Sequence, residues 1–419
     1  MISFFYLTRI FIAFIVGCSF MYVANAQELS YKPVREIEIG AFMGFLGDSN
    51  SDFPNHGLQR NLIVTVGNNY ESGFLKDNLN YKKPKTGIAF GFSDLRNKNS
   101  LGYVYSLAPF AEWPVFASKT SKLDVMVAMG ASYATRVFNA KTNIRNKGVS
   151  TRVNWMYNTT LFYEIYKNKT SAGRLGFGYL HMSNGHMKKP NRGYNSVVLG
   201  FSAMFATPKQ EQYTSYLKPK KIKIYGFYAA NVGIGQNTLS DYFNTKKEIY
   251  TASLSVGKLF KNRVKLSIGA HYHFYEHYHD YIVNDETLVR TQEKHLKEYP
   301  VLNASSFGLF GGGEILLGRF GMEMRLGLTI AKPFYKIDWK LNEGYTYFSN
   351  GEEVIVPGEL NSYFKVKHRV YGRMGLKYYV IPSIKEKKHT IYIGAFINSN
   401  LGQADFSEFA IGYEHRFKL

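Results

Sequence analysis

The chain has 419 residues, a net charge of +21 and a single cysteine, Cys18. One cysteine excludes an intrachain disulfide framework, and its loss with an N-terminal export signal would leave the mature chain without thiolate chemistry; the basic excess implies an anionic partner. Aromatic residues make up 16% of the chain while its mean hydropathy is slightly negative. Alternating apolar and polar positions with aromatic girdles produce that combination.

The first element in chain order is an expected export signal over residues 1–26. Arg9 is followed by an apolar run from Ile10 to Val23, and then by the small-x-small pattern Ala24-Asn25-Ala26 of a cleavage site. An uncleaved anchor and lipoprotein processing at Cys18 are the alternatives, and the run continuing past Cys18 favours cleavage after Ala26. For an exported protein nucleic acid is a poor partner, and a phosphate-rich lipid surface is a better one. After Val23 no uninterrupted apolar run is long enough for a spanning helix. A membrane crossing therefore has to be made by strands, because only helices and closed barrels satisfy the backbone in lipid.

A period of two recurs along most of the remaining sequence. In Leu123–Val137 the odd positions are mostly apolar and the even ones include Asp124, Ser132 and Arg136. Ile222–Ile234 sets Ile222, Ile224, Tyr228 and Val232 against Lys223, Tyr225 and Asn231. In Arg319–Ala331, Phe320, Met322, Met324, Leu326, Leu328 and Ile330 oppose Arg319, Glu323, Arg325 and Thr329. A soluble sandwich also alternates, but these polar faces are charged like a lumen, and the segments approach the roughly 9–11 residues of a tilted spanning strand. The last segment, Asp405–Leu419, alternates up to its end and resembles the assembly signal of outer-membrane barrels. The reading is an all-β, antiparallel transmembrane β-barrel of about fourteen strands, with roughly twelve to sixteen possible. It forms one domain over residues 27–419, without a second domain or a clean internal repeat. Tyr281–Tyr299 and Asp338–Phe364 are expected as surface loops, and Pro208–Lys221 as a Lys-rich connection.

Residues 173–205 depart from simple alternation. A strand carrying Leu175, Phe177, Tyr179, His181 and Ser183 on one face leads into a connection with Pro190, Asn191 and Gly193, then a strand starting near Asn195. If the Leu, Phe and Tyr side chains face lipid, so do His181, Ser183 and Asn195. A histidine two residues from a serine on a strand can form a nucleophile–base couple, and a polar group on the next strand can orient the imidazole. Polar groups aimed at lipid are costly. Catalysis on a lipid is one reason for them, and a wet strand end at the interface is the other.

His181-x-Ser183-Asn184, then Lys188, then Pro190-Asn191-x-Gly193 and a polar residue at 195 leading into an apolar strand, resembles the signature of the lipid A 3-O-deacylase family of outer-membrane barrels. The resemblance implies a Ser-His nucleophilic ester hydrolase that removes an acyl chain from lipid A, with no metal and no organic cofactor. It assigns Ser183 as nucleophile, His181 as general base and Asn195 as third member, where the best-known members carry Glu. Glu164 is a weak alternative carboxylate. Asn184, Gly185 and Asn191 are candidates for the oxyanion hole, although Gly185 stands one residue earlier than the family's glycine. Lys188, Lys189 and Arg192 are candidates for lipid A phosphates, or for an ordinary solvated turn. The implied setting is the cell outer membrane with lipopolysaccharide as partner, and oligomeric state stays open. Pore or transporter activity, or non-catalytic lipopolysaccharide binding, are the alternatives. His271, His273, His277 and His279 fall on one face of an expected strand. They span too far for one ion, since residues six apart on a strand lie roughly 20 Å apart, and read as lumen-lining side chains.

Overall fold

The computed structural model describes residues 34–69, 84–118, 121–168, 170–207, 224–240, 244–260, 263–349, 352–381 and 388–419. The expected export signal and the Pro208–Lys221 connection lie outside them. No described helix is long and apolar enough to cross a membrane.

The strands close into two antiparallel barrels of eight rather than one of about fourteen. The first holds β1 (Val34–Gly47), β2 (Gln59–Asn69), β3 (Lys85–Asp94), β4 (Tyr103–Ala117), β5 (Lys122–Ala134), β6 (Val153–Lys167), β7 (Ser171–Ser183) and β8 (Tyr194–Ala206). It is closed by β1 against β8, with Gly47 opposite Asn195. The second holds β9 (Ile224–Asn237), β10 (Lys247–Phe260), β11 (Val264–Tyr275), β12 (Ser305–Leu317) and β13 (Phe320–Ala331), to which β16 (Val370–Tyr379), β17 (His389–Asn400) and β18 (Gln403–Lys418) add. β18 closes it against β9. Between β13 and β16 stands a separate hairpin of β14 (Tyr345–Ser349) and β15 (Glu352–Val356). The chain divides into two compact units accordingly, with Gly185–Lys189 grouped with the second. The expected count of about fourteen strands approximates the sixteen that form the walls; alternation is local, whereas which strands close on which is set by pairings between distant strands.

Alternation explains the wall of each barrel. In β13, Phe320, Leu326, Leu328 and Ile330 are exposed on the outside while Glu323 and Arg325 are buried inside. In β18, Phe409, Ile411, Tyr413 and Phe417 face out, and Glu408, Glu414 and Arg416 face in. An outward apolar band of this kind suits hydrocarbon, where an aqueous surface would reject it.

An eight-stranded barrel is just wide enough for its interior to be filled by side chains, and both are. In the first, Phe42, Phe110, Met126, Met156 and Phe162 form an apolar plug. Beside it Arg174, only 1% exposed, bonds Glu38 (Nε to Oε1, 2.9 Å) and Glu112 (Nη1 to Oε1, 2.7 Å) and lies 3.9 Å from the centre of the Phe162 ring. Lys85 bridges Glu36 and Glu38, each at 3.2 Å, and Lys122 bridges Asp124 at 3.1 Å. In the second, Arg373 bonds Glu408 at 2.9 Å, Lys377 bonds Glu314 at 2.8 Å and Lys265 bonds Glu414 at 2.6 Å. Buried charges persist only when paired, and these pairs occupy the space that a water-filled channel would need.

Two expected loops are ordered elements of the second unit. Tyr281–Tyr299 takes in the end of α1 (Glu276–Val283), α2 (Thr287–Thr291) and a 3₁₀ turn (Lys294–Glu298), ahead of α3 (Pro300–Asn303). Pro300 opens α3 at a position where its missing N–H costs nothing. Asp338–Phe364 contains most of α4 (Tyr335–Asn342), the β14–β15 hairpin and the start of α5 (Ser362–Lys367). Tyr278, Ile282, Leu288, Val289, Phe334 and Ile337 bury a common apolar cluster with the strand ends.

Candidate active site

The site lies on the outer wall of the first barrel, where β7 meets β8. On β7, Ala172, Arg174, Leu180 and Met182 point inward and are buried. The opposite face carries Phe177, 51% exposed, then Tyr179 and His181, both half-buried, and Ser183 at the strand end, 4% exposed. On β8, Leu199 and Phe201 share that outer face and are exposed, and Asn195 on the same face is half-buried. The antiparallel register sets His181 directly opposite Asn195.

That placement brings the three expected residues together. His181 Nε2 lies 2.9 Å from Ser183 Oγ, and His181 Nδ1 lies 2.7 Å from Asn195 Oδ1. An amide oxygen only accepts, so Nδ1 carries the proton and Nε2 is left with its lone pair toward the serine hydroxyl. Tyr179 donates its hydroxyl to the same Asn195 Oδ1 at 2.8 Å, which holds the amide in this orientation. The sequence reading missed Tyr179, although period two placed it on the right face. Glu164 does not join the site: it pairs with Arg174 across β6 and β7, whereas His181 pairs with Tyr157. Those seven residues of strand amount to roughly 23 Å.

The connection between the strands is fastened by contacts within the first unit. Asn191 Oδ1 accepts from the Asn184 N–H at 2.9 Å. Ser150 donates its hydroxyl to the Pro190 carbonyl. The Arg192 and Gly193 N–H groups donate to the Lys147 and Gly148 carbonyls at 3.1 and 2.8 Å, and Ser49 Oγ donates to the Gly193 carbonyl at 2.7 Å. Of the expected oxyanion donors, Asn184 therefore already gives its N–H to Asn191, and Gly185 groups with the second unit.

Gly193 has φ +77°, and a Cβ on it would stand 2.9 Å from His181 Cε1. Both facts demand glycine. Gly193→Ala is expected to push the imidazole off the serine, read as a shifted His181 ring resonance in the NMR spectrum of the folded variant.

Of the three basic residues considered for phosphate, Lys188 and Arg192 are exposed. Lys189 is 9% exposed; its backbone N–H donates to Asn244 Oδ1 at 3.0 Å and its ammonium donates to Asn342. The four histidines do not share a strand. His271 and His273 are buried on β11, inside the second barrel, with ring centroids 4.7 Å apart, while His277 and His279 fall on α1. The strand ends at Tyr275, whose buried ring packs against Tyr278 and Phe334. Among the described residues no group of three or more His, Cys, Asp or Glu side chains is placed to hold a metal ion.

No curated protein matches the sequence. Among solved structures, the chain is similar to that of the outer membrane enzyme PagL, at 17% identity and a TM-score of 0.29, over 39% of this chain and 97% of that one. It is also similar to the outer membrane protein OpdK from Pseudomonas aeruginosa, at 8% identity and a TM-score of 0.19, over 92% of this chain and 99% of that one. Residues 64–203, which span β7, nearly all of β8 and the His181–Ser183–Asn195 constellation, match the family model described as lipid A 3-O-deacylase (PagL).

Proposed function

We propose that the first barrel is an outer-membrane carboxylic ester hydrolase that removes the 3-O-linked acyl chain of lipid A through Ser183 and His181. The observation that carries this reading is the hydrogen-bonded row Ser183–His181–Asn195 on the outward, lipid-side face of the barrel wall. A substrate whose acyl chains lie in the bilayer reaches that face without leaving the membrane. The match of residues 64–203 to the deacylase family supports the same substrate class. The filled interiors of both barrels speak against the pore and transporter alternative.

In this mechanism Ser183 Oγ attacks the ester carbonyl carbon while His181 Nε2 takes its proton. The carbonyl electrons move to the oxygen and form a tetrahedral oxyanion. The donor assigned to it is the Asn184 N–H, for which the substrate oxyanion competes with Asn191 Oδ1. As the intermediate collapses, His181 returns the proton to the departing sugar oxygen. Water, activated by the same imidazole, then releases the fatty acid from Ser183. Throughout, Asn195 Oδ1 accepts the Nδ1–H bond and fixes the productive tautomer. Being neutral, it does not offset the imidazolium charge as a carboxylate would.

This division of labour makes Asn195 a tuning position. Asn195→Ala removes the acceptor and is expected to lower kcat by about 10- to 100-fold, the worth of one oriented hydrogen bond to a charged group. Asn195→Asp keeps the geometry and adds the missing charge, and is expected to raise kcat by about tenfold. Equal rates for Asn195 and both variants would remove it from the mechanism.

The assay that tests the reading uses the purified full-length chain in detergent micelles with lipid A, and identifies the released acid by mass spectrometry. Release of the 3-O-linked hydroxyacyl chain alone is expected. Release of a secondary acyl chain instead would keep the hydrolase and overturn the 3-O assignment. No release from the folded protein would overturn both.

A further inference from the structure

We infer that the two barrels are two copies of one unit, and that the second is a non-hydrolysing copy whose serine has lost its base; the chemical half of this inference rests on the proposed hydrolase. Each barrel has eight antiparallel strands closed first to last. Equivalent positions then repeat on four of the eight strands, the third, fourth, seventh and eighth. On the third and fourth strands, Gly87 pairs with Phe110 in the first barrel and Gly269 pairs with Phe310 in the second. In both the phenylalanine ring lies where a Cβ on the glycine would be, within 2.8 and 2.6 Å. On the seventh strand Gly178 precedes His181 by three residues, as Gly394 precedes Ile397. On the eighth, Asn195-…-Leu199-Gly200-Phe201-…-Phe205 is matched by Ser407-…-Ile411-Gly412-Tyr413-…-Phe417 at identical spacing.

These equivalences place Ser399-Asn400 where the first barrel has Ser183-Asn184. Ile397 then stands at the position of His181, and Ser407 at that of Asn195. The register agrees independently, since Ile397 lies opposite Ser407 just as His181 lies opposite Asn195. Ile397 and Ser399 are half-buried on the outer side of β17, while Phe396 and Asn398 are buried inside. The nucleophile position therefore keeps its hydroxyl and its face.

What the equivalent positions lack is the base and the long connection. An isoleucine side chain takes no proton, so Ser399 has no neighbouring base at that position. The Asn184–Gly193 connection is replaced by the two residues Leu401 and Gly402, with φ +46° and +78°. A two-residue turn of that kind ties a hairpin and has no room for the counterpart of Asn191. Met374 and Gly372 stand across from Ile397 and Ser399, where Tyr157 and Trp155 face His181 and Ser183.

A fluorophosphonate probe tests this on the full-length protein. An activated serine oxygen attacks phosphorus, the P–F bond breaks, fluoride leaves and the serine proton passes to the base. Peptide mapping by mass spectrometry then locates the label. Wild type and Ser399→Ala are expected to take one label per chain, on Ser183, and Ser183→Ala none. Label on Ser399 in any of these chains would overturn the inference while leaving the hydrolase intact. Folded wild type that takes no label on Ser183 would contradict the hydrolase reading, and the inference would fall with it.

Discussion

Ser183→Ala and His181→Ala are each expected to lower ester hydrolysis by about 10⁴-fold or more, and the double variant to lose little beyond either single change. Residues that act as one unit show this non-additivity, because removing the base leaves the hydroxyl unactivated and removing the hydroxyl leaves the base without a task. The geometry requires it here, since His181 Nε2 has the Ser183 hydroxyl as its partner at 2.9 Å. Both side chains lie on the outer face, away from the packed interior, so neither variant should disturb the barrel. Additive losses, or full activity in either variant, would show that the pair does not work as nucleophile and base. Rates at matched amounts of folded, heat-modifiable protein provide the measurement.

Arg174→Ala is expected to have the largest effect on stability. Arg174 sits inside the first barrel on β7, and its guanidinium compensates Glu38 and Glu112 directly and approaches Asp124 at 3.4 Å. All three carboxylates are buried. Deleting the cation leaves them short of charge and also opens a void beside Phe162. Breaking a buried ion pair by removing one partner costs on the order of 3–5 kcal/mol. The variant is expected to unfold at markedly lower urea than wild type in lipid micelles. Arg174→Lys, which keeps the charge but loses the forked contacts, should fall between the two. An unchanged midpoint for Arg174→Ala would mean that the cluster is not a structural centre of the barrel.

Much of this was legible in the sequence because it depends on local period. Alternation in Arg319–Ala331 and Asp405–Leu419 correctly separated the exposed apolar side chains from the buried Glu323, Arg325, Glu408 and Glu414. The same period put His181, Ser183 and Asn195 on one face, where the strand register then makes them neighbours. Long-range pairing left no local trace. Nothing in β8 alone says that it returns to β1 after eight strands. The supports of the site were hidden for the same reason: Ser49 reaches Gly193 from the β1–β2 connection, and Gly148 and Ser150 reach the turn from the β5–β6 connection. The helices between β11 and β12 are short and their apolar residues irregular, so they read as loop until tertiary packing of Tyr278, Ile282 and Leu288 is seen.

The most direct test of the central claim is the mass spectrum of lipid A from cells making either the wild-type chain or Ser183→Ala, at equal levels of folded barrel in the outer membrane. The expected result is lipid A lighter by one hydroxyacyl chain with wild type, and unmodified lipid A with Ser183→Ala. Identical spectra for the two would contradict the claim, whether both were unmodified, which would remove the activity, or both deacylated, which would move it away from Ser183.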